Sequence, residues 1–295
     1  MDKLRAMQCF VRIVDEGSLT RAADTLGVSV PAVVRTLAAL EQGLNIRLLN
    51  RTTRRISLTE EGKRYLESCR RILADLQEAE AALSVDGAEP SGMLHITAPV
   101  FFGHMYVAPA VTRFAQRYPK VRCNLVTSDK VVNLVEEGLD VAIRIGHLAD
   151  SSLIAHGVAH VRRVVVASPD YLKRFGVPKH PRALAEANCV LFSGTHGTGW
   201  TFSENGRPFN VAVEGNIVFN QSATAVEACA AGMGFGLFLS YQVMPHVRAK
   251  RLRIVLAEFE PALRPVSVVY PSARYLPTRT RRFVEWMKTE LSAAF

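Results

Sequence analysis

The sequence predicts an α + α/β protein: an N-terminal winged helix-turn-helix, a long linker helix, and a two-lobed α/β half. Three observations lead there. Two short helical patterns at residues 18–41 are separated by little more than a glycine. A heptad-spaced run follows at residues 59–85. From Met93 onward strand-like and helix-like stretches alternate, as α/β layers require.

The first helix is read from Leu4, Met7, Phe10, Val11 and Val14, which recur at helical spacing, with Gly17-Ser18 ending it and capping the next. A second helix runs over Ser18 to Thr25, Gly27 sits in the turn, and Ser29 caps a third. Ala22 and Ala23 let the two helices approach, because a bulky side chain there would push them apart. On the third helix Val33, Leu37 and Leu40 share one face at i, i+4, i+7, the core side. Val30 and Val34 lie on another face. They are either incidental surface valines or methyl groups turned to a major groove, where thymine presents methyls of its own. Arg35 projects beside them, within reach of guanine or phosphate.

Asn45 follows the third helix and tolerates the left-handed conformation of a helix end. Arg47, Arg51, Arg54 and Arg55 then run without an intervening acid, with Thr52-Thr53 as a hairpin turn and Ile56 and Leu58 on the returning strand. Such a run is either a solvated charged surface or, beside a helix-turn-helix, a wing gripping phosphates. Thr59 caps a fourth helix reaching about Val85. Its apolar positions Tyr65, Cys69, Ile72, Leu76, Ala79 and Leu83 form a heptad seam. A helix of roughly 40 Å overhangs so small a domain, so pairing with a second copy is expected. SVDGAEPSG at residues 84–92 reads as a hinge.

In the second half, LHIT, VRCNLVT, DVAIRIG, RVVVAS, NCVLF, NVAVEGNIVF and FGLFL read as strands. YVAPAVTRFAQRY, DKVVNLVEEG, SATAVEACAAG and a last stretch from about Pro277 read as helices. The alternation predicts two small lobes with mostly parallel sheets. The boundaries that follow are 1–60 for the winged domain, 61–90 for the linker helix and hinge, and 91–295 for the two lobes.

With 295 residues, 48% hydrophobic and 21% charged, the chain can bury two domain cores. A net charge of +9 favours an anionic partner such as nucleic acid. No stretch approaches the ~18 apolar residues of a membrane span, and MDKLRAMQCF lacks the apolar core of a signal peptide. The five cysteines are dispersed, with no CxxC pair, and read as reduced core thiols of a cytoplasmic protein. Catalysis finds little support. His156 and His160 have no third ligand nearby, so neither a metal nor a cofactor is expected. The glycines of GMGFG, residues 232–236, follow a helix and precede a strand, the reverse of a dinucleotide loop. The chain is expected not to be an enzyme.

The segment FVRIVDEGSLTRAADTLGVSVPAVVRTLAALEQGLNIRLLNRTTRRISLTEEG closely resembles the DNA-binding half of LysR-type transcriptional regulators. RFAQRYPKVRCNLV, LVEEGLDVAIRIG and RRVVVASPDYL resemble their effector-binding half, in its CrgA-like branch. The likeness spans essentially the whole chain. It implies a bacterial, cytoplasmic regulator of transcription that binds double-stranded DNA through a winged helix-turn-helix. It also implies a dimer through the linker helix, a dimer of dimers (a homotetramer), and a two-lobed sensor like periplasmic binding proteins. RNA polymerase is a candidate further partner. The family commonly has Gln at the position of Val30 and Ser at that of Val34, hydrogen-bonding contacts that valine does not make. The candidate DNA contacts are Ser18, Arg21, Ser29, Val30, Pro31, Val34, Arg35, Arg51, Arg54 and Arg55.

The candidate effector site combines strand-end geometry with the resemblance. Thr97, Phe101 and Phe102 lie at or after the first strand, Ser128 after the second, and Arg144 at the end of the third. Ser222 opens a helix, and Phe192 adds an aromatic wall. Ser128 falls at a family position that often holds a hydroxyl for an effector carboxylate, whereas Pro99 falls where some relatives have a ligand-binding Ser. The expected ligand is a small organic acid. Arg144 serves it or a structural ion pair, and the phenylalanines shape a pocket or plain core. The rival class is a cytoplasmic solute-binding protein whose helix-turn-helix only dimerises.

Overall fold

The computed structural model describes residues 2–51, 56–81, 89–146, 153–192, 199–272 and 276–295. The chain divides into two compact units, Met1–Met93 and Leu94–Phe295.

In the first unit, α1 (Lys3–Glu16) is capped by Asp2, whose carboxylate accepts from the amides of Leu4 and Arg5. Helix α2 (Leu19–Leu26) starts on the Ser18 hydroxyl and ends at Gly27, where φ is 65°. Helix α3 (Val30–Leu44) starts on the Ser29 hydroxyl, carries Pro31 in its first turn and ends at Asn45 with φ 53°. These are the caps and stops expected from the residue types. The chain bends by 103° between α2 and α3. Ala22 and Ala23 are buried at that crossing with Phe10, Ile13, Val33, Leu37 and Leu40. Strands β1 (Leu49–Arg51) and β2 (Ile56–Leu58) form an antiparallel hairpin with Leu49 opposite Leu58. The Glu41 carboxylate on α3 accepts from the amides of Leu48 and Leu49, tying the hairpin's root to that helix. Helix α4 (Glu60–Ala81) begins where the Thr59 hydroxyl accepts from the amide of Gly62.

The second unit begins with β3 (Gly92–Ala98) and α5 (Val100–Phe102), which runs through a π turn at Gly103–Val107 into α6 (Ala108–Arg117). Then come β4 (Val121–Thr127), β5 (Val141–Ile145) and β6 (Leu153–Val161). The chain crosses there to a second lobe. It holds β7 (Arg163–Ala167), α7 (Pro169–Phe175), β8 (Asn188–Phe192), β9 (Trp200–Glu204), β10 (Arg207–Val211), β11 (Glu214–Phe219), α8 (Ser222–Ala230), β12 (Gly236–Leu239), α9 (Ser240–Arg248) and β13 (Arg253–Val255). It returns through β14 (Arg264–Pro271) and ends with α10 (Thr278–Ala294). The first lobe is a five-stranded sheet in the order β4-β3-β5-β14-β6. Its core gathers Ile96, Phe102, Phe114, Ile143, Phe283 and Met287. In the second lobe β7 is central to β12-β7-β13, and a bridge from Cys189 to Phe235 joins the β8/β11 pair to this sheet.

The sheets are mixed rather than mostly parallel as the alternation suggested. Parallel pairing joins β3 with β5 and β8 with β11, whereas β14 runs antiparallel to both β5 and β6, and β7 antiparallel to both β12 and β13. The reason is the double crossing. The chain leaves the first lobe at Val161 and re-enters at Arg264 directly opposite it, so β14 runs antiparallel to β6. A second expectation fails at DKVVNLVEEG, residues 129–138. No helix forms there; the Asn133 side chain accepts from the amide of Val135 and Gly138 takes φ 64°. An Asn side chain that bonds two residues ahead offers the backbone a turn in place of a helix. Only Leu134 of the segment is fully buried, so little packing holds the stretch to a regular helix.

The described part of α4 ends at Ala81, short of the expected Val85, and residues 82–88 of the helix end and hinge lie outside the described residues. No single helix among the described residues is long and apolar enough to cross a membrane.

Candidate functional site

The first candidate surface is built on α3. Pro31 and Arg35 are exposed and Val34 is half-buried, so these three present the outer face of its first turns. Val30 corrects the expectation: it is half-buried and packs against the core of the first unit, so it does not share Val34's face fully. At 100° per residue Val30 lies about 60° from Val33 and about 20° from Leu37, nearer the core side than the separate face expected from the sequence. Ser29 is exposed and accepts from the Ala32 amide, while half-buried Ser18 accepts from Arg21's amide. Arg21 is already engaged, its guanidinium donating to the carbonyl of Glu16 at the end of α1. Arg51 is in β1, opposite Ile56. Arg54 and Arg55, with the turn at Thr52 and Thr53, lie outside the described residues.

The heptad seam on α4 divides. Cys69 is fully buried in the first unit's own core and Tyr65 packs against it, so these two positions serve the domain and not a partner helix. Beyond them Ile72 is 42% exposed. Sequence periodicity does not distinguish the two, since both satisfy the same repeat.

The second candidate is a cleft of about 710 Å³ between the lobes of the second unit. Ser128, Arg144, Phe192 and Ser222 line it, as expected. Ser128 accepts from the Lys130 amide at 3.2 Å. Ser222 accepts from Gln242 Nε2 at 3.1 Å, leaving its own O–H proton to give. Gln221, the residue before α8, makes no side-chain cap, so the first-turn amides of that helix are not blocked by it. Phe192 stacks on Phe238 with centroids 5.7 Å apart. Arg144 forms no ion pair among the described residues; it donates instead to the carbonyls of Lys130 and Val132. Burial lowers its pKa. Its guanidinium clamps the 130–132 loop while one side of it meets the cleft.

Three expected residues are not part of the cleft lining. Thr97 is buried opposite Ala142 in the sheet, Phe102 is fully buried in the first lobe's core, and Phe101 packs against that core beside Tyr241. In β3 Thr97 faces the sheet interior, and α5 turns both rings inward. Pro99 does line the cleft. The amide that follows it, Val100, donates to the Asp129 carboxylate at 3.0 Å. The chain's own acid thus occupies the start of α5.

Sequence reasoning missed Arg163 and Arg264, which also line the cleft. Burial, with Arg264 close by, pushes the Arg163 pKa down to about 10. The available signal was the doublet Arg162-Arg163 at the edge of an apolar strand, where one arginine exceeds what a surface pair needs. Trp200, Phe202 and Phe209 fill a separate core in the second lobe. His156 stacks on Tyr270 and hydrogen-bonds its hydroxyl at 3.0 Å. In GMGFG, a Cβ on Gly234 would lie 2.3 Å from the Asn188 carbonyl oxygen, so close packing explains that glycine. No group of three or more potential metal ligands occurs among the described residues.

A helix-turn-helix with an outward third helix, joined to a two-lobed unit with a charged cleft, defines a ligand-responsive regulator of transcription. The comparisons agree. Residues 4–63 match the family model "Bacterial regulatory helix-turn-helix protein, lysR family", and residues 87–292 match "LysR substrate binding domain". An HTH-type transcriptional repressor of Pseudomonas aeruginosa (strain UCBPP-PA14) is 38% identical over 97% of this chain and 92% of that protein. The HTH-type transcriptional regulator CrgA of Neisseria meningitidis serogroup C is 33% identical over 96% of this chain and 95% of that protein. The solved structure of Neisseria meningitidis CrgA superposes with a TM-score of 0.62 at 32% identity, covering 97% of this chain and 98% of that one. The full-length Vibrio cholerae virulence activator AphB gives 0.63 at 26% identity, covering 98% and 99%. The chain belongs to the LysR family of transcriptional regulators. It is a DNA-binding regulator with a helix-turn-helix and an effector-binding domain, and regulators of this kind act as oligomers.

Proposed function

We propose that the chain is a cytoplasmic homotetrameric regulator in which α3 reads the major groove and the β1–β2 wing holds phosphates. Its DNA affinity then responds to a small carboxylate in the interlobe cleft. The carrying observation is the cleft's charge: Lys130, Arg144, Arg163 and Arg264 line it against the single carboxylate of Asp129 among the described residues. A cleft of that sign concentrates anions and rejects cations. Ser128 and the start of α8 at Ser222 supply donors for carboxylate oxygens. On the DNA side, Ser29, Pro31, Val34 and Arg35 present base- and phosphate-facing groups at the start of a helix, with Ser18 and the wing arginines positioning the backbone. Two copies joined along the far part of α4 place two such helices on half-sites, and a second pairing makes the dimer of dimers. RNA polymerase is the partner through which bound regulator acts.

Gel shift on the intergenic region upstream of the gene, across a salt series, tests the DNA half. A steep salt slope with site preference supports it, and loss of all retained DNA leaves a solute-binding protein instead. Calorimetry against small aromatic and aliphatic acids tests the other half. Ser128→Ala should weaken binding by roughly 1–2 kcal/mol, the scale of one hydrogen bond to a charged group. Preference for neutral or cationic ligands overturns it.

A further inference from the structure

Two strands begin at the crossings between the lobes, β7 at Arg163 and β14 at Arg264, and both arginine side chains line the cleft. Their neighbour Arg162 is neutralised by Glu260 through two hydrogen bonds. The side chains of Arg163 and Arg264 have no hydrogen-bond or ion-pair partner among the described residues. Asp129, the one carboxylate lining the cleft among the described residues, is engaged with the Val100 amide. Arg144 is likewise spent on backbone carbonyls, and Lys130 is exposed to solvent. Arg163 and Arg264, both half-buried, repel each other in the cleft wall, a cost that an anion held between them relieves.

We propose that the cleft selects a doubly charged oxyanion, with one of its oxyanion groups bridged between Arg163 and Arg264. This rests on the reading of the cleft as the effector site and narrows its ligand class. A single negative charge leaves one of the two arginines uncompensated, whereas two charges balance the pair. The planar forks of both arginines match carboxylate and phosphate oxygens alike. Burial, and then the nearness of Arg264, depresses the Arg163 pKa, in keeping with the same geometry.

The test uses the full chain at fixed ionic strength, with calorimetry and thermal unfolding. One arm titrates inorganic phosphate; the other titrates succinate, glutarate and phthalate, each against its own monoamide. Arg163→Gln and Arg264→Gln are compared with wild type and with Arg182→Gln, an exposed control in the second lobe. At least one doubly charged ligand should bind about tenfold tighter than its singly charged counterpart. Both cleft variants should lose about tenfold in affinity together with that preference, while melting no lower than wild type without anion. Arg182→Gln should behave as wild type. Binding confined to phosphate identifies a phosphorylated ligand, and binding confined to the diacids a dicarboxylate. Equal affinity for both charges, binding unaffected by the two substitutions, or no binding in either arm overturns the proposal. If binding needs both arginines but leaves DNA affinity unchanged, the anion site stands and the effector reading falls. If DNA affinity responds to an acid whose binding ignores both arginines, the reverse holds.

Discussion

Arg162 and Glu260 clasp the two chain crossings between the lobes, with Arg162 Nε donating to Oε2 at 2.7 Å and Nη2 donating to Oε1 at 2.5 Å. Arg162 ends the passage out of the first lobe, and Glu260 precedes the passage back. Side-chain exposures of 47% and 14% put the pair at the protein's surface on one side only. The geometry is two-point and charge-assisted, the kind of surface pair that has measurable worth.

Glu260→Gln keeps the shape and removes the charge. It should destabilise the second unit by about 1–2 kcal/mol, a drop of a few degrees in its melting point. Scanning calorimetry checks this. An unchanged melting point would show that the clasp positions the crossings without stabilising them.

Arg35→Ala should weaken binding to the cognate site by about 1–3 kcal/mol and binding to random DNA far less, because a base contact is lost. Arg51→Ala should weaken both alike and flatten the salt dependence by about one unit of slope. Fluorescence anisotropy on both duplexes over a salt series separates the two behaviours.

Val34 and Val30 should respond differently although both lie on the first turns of α3. Val34→Ser should alter base preference and leave the unfolding free energy within about 0.5 kcal/mol of wild type. Val30→Gln should cost about 1 kcal/mol or more, because that side chain packs against the first unit's core. Selection from a randomised operator library, alongside thermal unfolding, measures both effects. A stability loss at Val34 equal to that at Val30 would overturn the distinction.

On α4, Ile72→Asp should give a smaller, folded species in light scattering, since Ile72 is exposed in the isolated chain. Cys69→Asp should instead unfold the first unit, because it buries a charge in a closed core. Circular dichroism with sedimentation distinguishes loss of assembly from loss of fold. If Ile72→Asp leaves the assembly intact, α4 is not the pairing surface.

The thiols should be inert. Cys9, Cys69, Cys189 and Cys229 are buried and Cys123 is half-buried, and burial raises the pKa of each. Native protein should therefore label slowly at pH 8, with Cys123→Ser removing the fastest phase. Alkali should destabilise the fold. Cys189 holds its proton to about 12 when folded, against 9.0 in the free thiol, so the unfolded chain binds fewer protons in that window and stability falls as pH rises through it. Alkaline melting curves of Cys189→Ala should fall less steeply above pH 9 than those of wild type.

Much of the first unit was legible because its signals are local. Ser18, Ser29 and Thr59 cap helices, Gly27 and Asn45 stop them, and Ala22 and Ala23 permit the crossing; each acts within a few residues of its own position. The interlobe cleft was half legible for the opposite reason. Ser128, Phe192 and Ser222 line it because strand ends and helix starts converge there. Thr97, Phe101 and Phe102 follow the same strand-end rule, yet side-chain direction at β3 and α5 turns them into the core.

By itself the sequence determined the order of domains, the helix-turn-helix and its caps, the wing's hairpin strands, the start of α4 and the family. The local elements depend on periodicity, small residues and cap chemistry, which are short-range, and the family on the resemblance of whole motifs such as residues 10–62. Only the tertiary structure decided the rest. It made the sheets mixed, because the chain crosses between lobes twice and returns at Arg264 opposite Val161. It assigned Cys69 to the domain core and left Ile72 exposed, although the two share one heptad seam. It gave Arg162 to Glu260 and left Arg163 beside Arg264, residues about a hundred positions apart that no local pattern relates. Charge compensation depends on distance in space, and the fold alone sets that distance.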